Sequence, residues 1–125
     1  MASVDVGQAA AGSLYQQAQS GTFVMDLDAA QRCAQHFQTF AESLDKYIQM
    51  ARDLVFVDGF GTLDSAKDLQ SGFARKAGEL VNTLLGMQEA GYQMAAAYLE
   101  AANQTSQADS ALTKMINAKN QEISL

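Results

Sequence analysis

The stretch Val57-Asp58-Gly59-Phe60-Gly61-Thr62-Leu63 decides the fold of this 125-residue chain. Two glycines within three residues permit positive φ angles and end a helix sharply. On both sides of this stretch the sequence contains no proline and keeps apolar residues at helical spacing. The sequence therefore predicts two long helices that fold back on each other. We expect Phe60 to cover the end of this hairpin, in a turn formed by Asp58, Gly59, Phe60 and Gly61.

The composition predicts one small all-α domain. The chain is 48% hydrophobic and 18% charged, which is typical of a folded protein. Alanine, leucine, glutamine and methionine are frequent, whereas clusters of β-branched residues are scarce. The formal net charge of −6 argues against binding to nucleic acid or to anionic membranes. No apolar run approaches the roughly 20 residues of a membrane-spanning helix.

The first predicted helix runs from about residue 28 to residue 57. Asp28, followed three residues later by Gln31, resembles a capping box. Apolar residues then recur every seven positions in three neighbouring rows, as in a helix buried within a bundle. The rows are Ala30, Phe37, Leu44 and Ala51; Cys33, Phe40, Tyr47 and Leu54; and Ala34, Ala41, Ile48 and Val55.

The second predicted helix runs from about residue 65 to residue 103, after a turn at residues 58–64. Ser65 and Asp68 form a regular capping box at its start. We expect two of its apolar rows to pack against the first helix in an antiparallel hairpin. These rows are Phe73, Leu80, Met87, Met94 and Ala101, and Ala77, Leu84, Gly91 and Tyr98.

The two ends of the chain carry weaker signals. Residues 1–25 are rich in Gly, Ala, Ser and Gln, which predicts a flexible N-terminal arm, with a short helix from about Ala9 to Gln19 as an alternative. Residues 104–125 form a polar C-terminal tail that we expect to be partly helical or disordered. The folded unit is therefore predicted to be residues 26–103.

The second helix has more apolar surface than one antiparallel neighbour can cover. Two explanations are open: a second hairpin covers the extra residues in a four-helix bundle, or the arm or tail of the same chain folds over them. We favour the first, and therefore expect Leu85→Asp to impair partner binding, whereas Leu84→Asp should unfold the hairpin. The predicted partner interface is Ile48, Val55, Val81, Leu85, Tyr92 and Leu99.

No catalytic, cofactor-binding or metal-binding residues are predicted. Cys33 and His36 lie one helical turn apart, but a structural zinc site needs four ligands and the chain has no other Cys or His. Cys33 falls on an apolar row, so we expect a buried thiol beside a surface imidazole. Aspartates cluster at helix starts, where they complement the helix dipole. The pattern favours a binding protein over an enzyme.

The two long helices and the stretch from Val57 to Leu63, followed by Ser65, Leu69 and Phe73, resemble the WXG100-like (ESAT-6-like) proteins of type VII secretion systems, in particular their actinobacterial relatives that lack tryptophan. The resemblance covers about residues 23–103. Glycine and phenylalanine take the place of the Trp-x-Gly turn. The family's Tyr-x-x-x-Asp/Glu export motif has no counterpart, because Tyr98 is followed at the fourth position by Ala102.

This resemblance implies a small helical-hairpin substrate or partner subunit of a type VII secretion system. It implies a homodimer or a heterodimer with a related hairpin protein, and a secretion ATPase or a chaperone as a further partner. The protein would be cytoplasmic before export and then secreted or surface-bound by a non-Sec route, in agreement with an N-terminus that lacks a basic region. The alternative is a cytosolic homodimeric four-helix-bundle adaptor or chaperone unrelated to export.

Overall fold

The computed structural model describes residues 4–125, and these residues form five α-helices and no strand, which confirms the predicted all-α class. Residues 1–3 of the predicted N-terminal arm lie outside the described part of the chain. The helices are α1 (Gln8–Gln19), α2 (Leu27–Ser43), α3 (Asp45–Val55), α4 (Asp64–Ala101) and α5 (Thr105–Lys119).

The long helix α4 is the centre of the fold. With 38 residues it is the longest of the five helices, and α1, α2, α3 and α5 all pack against it. The helices α2 and α3 run antiparallel to α4, and α5 lies beside them. Buried residues form two clusters along α4. One cluster contains Ala34, Ala95, Ala96, Leu99, Ala108 and Ala111, and the other contains Leu44, Ile48, Ala51, Val81, Leu85 and Ala118.

The helix starts differ from those predicted. Asp26, rather than Asp28, caps α2, because its carboxylate accepts a hydrogen bond from the backbone N–H of Ala29 at 3.3 Å. Asp28 lies in the first turn of α2 and pairs with Arg32 across 3.2 Å. The second capping box is also absent: α4 begins at Asp64, and no side chain caps it.

The first predicted helix is divided in two at Leu44. The carbonyl of Ala41 accepts the backbone N–H of Leu44 at 3.2 Å and the side-chain amide of Gln88 at 2.9 Å. In addition, the hydroxyl of Ser43 donates to the carbonyl of Phe40 at 2.6 Å. Side chains that bind helix carbonyls compete with the regular backbone bonds and interrupt a helix. This competition accounts for the break between α2 and α3.

The N-terminal arm contains the helix α1, which agrees with the short helix named as the alternative to a flexible arm. The carboxylate of Asp5 accepts backbone N–H bonds from Gly7 at 2.9 Å and Ala9 at 3.4 Å, and these bonds lower the pKa of Asp5. They hold the first turn of α1. Ala11 is fully buried, so α1 packs on α4, and such packing stabilises a helix that is too short to be stable alone.

The polar tail also forms a helix. Asn103, at φ 61°, lies in the turn between α4 and α5. Three alanines of α5, Ala108, Ala111 and Ala118, are buried, and so a helix with few large apolar residues packs closely on α4. The sequence prediction of a polar tail underestimated this packing, because alanine gives only a weak hydrophobic pattern.

The predicted turn lies in the non-helical segment between α3 and α4. Gly59 and Gly61 have φ angles of 84° and 108°, which side-chain-bearing residues adopt only with strain. The ring centroid of Phe60 lies 6.0 Å from that of Phe73. Phe60 therefore folds back onto the side of α4, rather than over the end of the helix pair.

Candidate functional site

The residues predicted to contact a partner are largely buried within the chain itself. Val81 and Leu85 are both 0% exposed, and they pack in the cluster that includes Ala118 of α5. Leu99 packs against Ala108 and Ala111 of the same helix. Tyr92 and Ile48 are buried as well, and Val55 is half-buried.

The buried stripe, which we define as Val81, Leu85, Tyr92 and Leu99, is thus an internal contact of the fold. This corrects the predicted partner interface. The physical reason is that α5 supplies the covering helix, so the second of the two open explanations describes the single chain. Burial raises the pKa of the Tyr92 hydroxyl, with smaller effects from the carboxylates of Asp45 and Glu42.

Large apolar side chains are exposed instead along one flank of α2 and α3. Phe40, Tyr47 and Leu54 follow each other at seven-residue spacing and are 42–47% exposed. On the other flank, Arg52 donates to the backbone carbonyl of Gln121 at 3.2 Å, so α5 and the residues after it lie on that side. The three apolar side chains therefore point away from α5.

Two residues of α4 extend this exposed flank. Phe73 and Leu80 lie one heptad apart, and each is 44% exposed. Ala51 and Val81 share a core cluster, so the antiparallel register places Leu54 at about the level of Leu80. Phe73 and Leu80 belong to the row that the sequence predicted for the interior of the hairpin.

We call Phe40, Tyr47, Leu54, Phe73 and Leu80 the open face. Further exposed apolar residues occur in the segment between α3 and α4 and in the first turns of α4. Contiguous exposed apolar patches often mark interaction sites. The additional residues are Phe56, Leu63 and Leu69.

The helices α2 and α4 approach each other closely beside Phe40, at one end of the open face. A Cβ atom added at Gly91 would lie 3.1 Å from the Cβ of Ala41 and 3.4 Å from the ring of Phe40. The absence of a side chain at Gly91 therefore allows α2 to pack directly on α4. This contact also holds the Phe40 ring at the edge of the helix pair.

The remaining candidates for chemistry are Cys33 and His36, one turn apart on α2. Cys33 is half-buried rather than buried, and His36 is exposed. Within residues 4–125, no group of three or more His, Cys, Asp or Glu side chains is placed to hold a metal ion. In the same residues, no helix combines the length and hydropathy needed to cross a bilayer.

No protein-family model, curated protein or solved structure matches this chain. The open face and the sequence resemblance are therefore the two observations that bear on function.

Proposed function

We propose that this chain acts by binding another helical protein through the open face, as a small substrate or partner subunit of a type VII-like secretion system. The binding proposal rests on one observation: five large apolar side chains are exposed along one flank of α2, α3 and α4. The secretion context is supported by the sequence resemblance around the turn between Val57 and Leu63.

The spacing of the exposed residues favours a helical occupant. Tyr47 follows Phe40 by seven residues, and Leu80 follows Phe73 by seven residues. Apolar rows with this period on adjacent antiparallel helices form a groove that accepts another helix, as in four-helix bundles. A second helical hairpin with apolar heptads of its own has the matching shape, whereas an extended peptide would use only every second side chain.

Complete burial of the open face by a partner would contribute a modest free energy of binding. Complete burial of a large apolar side chain contributes about 1.5–3 kcal/mol, and the five side chains are already about half buried. Their remaining burial contributes about 4–7 kcal/mol in total. The cost of association is of similar size, so stable binding needs further contacts beyond these five side chains.

The binding proposal is tested by light scattering during size-exclusion chromatography. The chain is analysed alone and mixed with a small helical-hairpin protein encoded beside it. We expect a complex that is lost in Leu80→Asp and in Tyr47→Asp, with helicity unchanged in circular dichroism. The matched control is Ile116→Asp, because Ile116 is 50% exposed on α5, outside the open face.

A chain that stays monomeric alone and in every mixture would overturn the binding proposal. Binding that survives both open-face substitutions would also contradict it. Self-association that is lost in Leu80→Asp would keep the open face but favour the homodimeric adaptor. The secretion context has its own test: the protein should leave the cell only when the adjacent secretion ATPase is intact, and export without it would contradict that part.

A further inference from the structure

The C-terminal segment, residues 120–125, is bound to α4 by specific contacts. The side-chain amide of Asn82 donates to the backbone carbonyl of Ile123 at 2.7 Å and accepts the backbone N–H of Ile123 at 2.7 Å. A Cβ atom added at Gly78 would lie 2.9 Å from the Cδ2 atom of Leu125, so the glycine provides the space for that side chain. This segment and the end of α5 cover part of the buried stripe.

A buried carboxyl group lies beside this segment. Glu89 of α4 is 7% exposed, and its Oε2 atom has no hydrogen-bond partner. Glu122 of the C-terminal segment lines the same cavity as Glu89, and a hydrogen bond between the two carboxyl groups contributes to a raised pKa of Glu89. Two carboxyl groups form such a bond only when one of them carries a proton.

The surroundings of Glu89 favour the protonated form. Burial raises the pKa of Glu89 from its ordinary value of 4.5 to about 7, assisted by the hydrogen bond to Glu122 and by the charge of Glu122, while the charge of Lys119 opposes the shift. The site is a cavity of about 310 Å³, to which α1 contributes the neutral Gln8. The charged groups that line it with Glu89 are Lys119 and Glu122; its other lining residues are Gln93 and Met115.

We infer that Glu89 and Glu122 form a proton-dependent latch, which holds the C-terminal segment on α4 and loosens when the shared proton is lost. Without the proton, the buried carboxylate of Glu89 would face the negative charge of Glu122, and their repulsion would push the segment away. Ala118 packs against Val81 and Leu85, so movement of the end of α5 uncovers these two residues. The latch thus controls access to a second apolar surface, apart from the open face.

Amide hydrogen exchange measured by mass spectrometry on the full chain tests the latch. Protection of residues 116–125, corrected for the intrinsic pH dependence of exchange, is compared at about pH 6 and about pH 8. We expect wild-type protection to fall by up to about tenfold at the higher pH, since about pH 8 lies one unit above the pKa of Glu89. Glu89→Gln, which stays neutral, should be equally protected at both pH values.

Two further variants make the result specific. Glu42→Gln is the matched control, because the exposed Glu42 also reaches α5, with 3.9 Å between its carboxylate and the ammonium of Lys114, but it lies outside the latch. It should behave as wild type. Glu122→Gln removes the opposing charge, so the pH at which protection is lost should change. This variant therefore reports on the latch even where Glu89→Gln folds poorly.

Equal wild-type protection at both pH values would overturn the latch. The same conclusion follows when Glu89→Gln or Glu122→Gln keeps the pH dependence of wild type. None of these measurements involves a partner protein, so failure of the latch is distinguishable from failure of the proposed binding function.

Discussion

The side-chain amide nitrogen of Gln88 lies 2.9 Å from the carbonyl oxygen of Ala41, at the end of α2. The same nitrogen donates to the carboxylate of Asp45, the first residue of α3, at 2.6 Å. Gln88 is only 4% exposed and its bond to Ala41 is buried, whereas its bond to the exposed Asp45 is partly buried. A single buried side chain of α4 therefore fixes the break between α2 and α3.

Replacing Gln88 should destabilise the fold. Gln88→Met keeps the volume but leaves the buried Ala41 carbonyl without this donor, and loss of a hydrogen bond in a buried site costs about 1–3 kcal/mol. We expect a lower midpoint of urea unfolding with an unchanged slope. Gln35→Met is the control, because Gln35 is exposed and its side chain bonds only to Thr39 within α2. Equal stabilities of the two variants would refute the structural role of Gln88.

Two glycines of α4 should respond in opposite directions to the same substitution. At Gly72 no atom lies within 4 Å of an added Cβ, so Gly72→Ala should stabilise the protein by about 0.5–1 kcal/mol through helix propensity. At Gly91 the added Cβ would meet the Cβ of Ala41 at 3.1 Å and the backbone carbonyl of Phe37 at 3.4 Å. Neither neighbour can turn aside, so Gly91→Ala should destabilise it. Thermal unfolding of both variants measures the difference, and stabilisation of both would show that α2 and α4 separate easily.

Leu85 and Leu80 provide a matched pair for the core and the open face. Leu85 is 0% exposed, so Leu85→Ala should cost about 2–5 kcal/mol, whereas Leu80 is 44% exposed and Leu80→Ala should cost at most about 1 kcal/mol. This reverses the expectation from sequence, in which Leu85 contacts a partner. Urea unfolding of the two variants compares them. A similar cost at both positions would show that α5 does not cover the buried stripe firmly.

The helical class and the positions of the long helices were predictable from periodicity, because apolar residues recur at helical spacing on both sides of the turn. The choice of buried flank was not. On α4, the row of Phe73 and Leu80 and the row of Leu85, Tyr92 and Leu99 lie on adjacent sides of the helix, and both have heptad spacing. Periodicity describes each row but does not say which one another helix covers.

The covering helices were named only as alternatives because their signals are weak. The buried residues of α1 and α5 are alanines, for example Ala11 and Ala111, which read as helix formers rather than as a core. Gln88 and Glu89 are polar residues in the interior of α4, and their burial follows from what packs on them. The open face and the latch could therefore be found only once the placement of α5 was known.

The global stability of the protein should depend on pH through Glu89. The pKa of Glu89 is about 7 in the folded chain and 4.5, its ordinary value, in the unfolded chain, mainly because of burial. Between these values the folded state binds one more proton than the unfolded state, so the contribution of Glu89 to stability is complete below about pH 4.5 and is lost as the pH rises to about 7. Other groups cancel when the unfolding free energy of Glu89→Gln is subtracted from that of wild type across this range. We expect wild type to lose stability relative to the variant with increasing pH and to level off above about pH 7. A difference that stays constant, or that changes in favour of wild type, would mean that Glu89 is ionised in the folded chain.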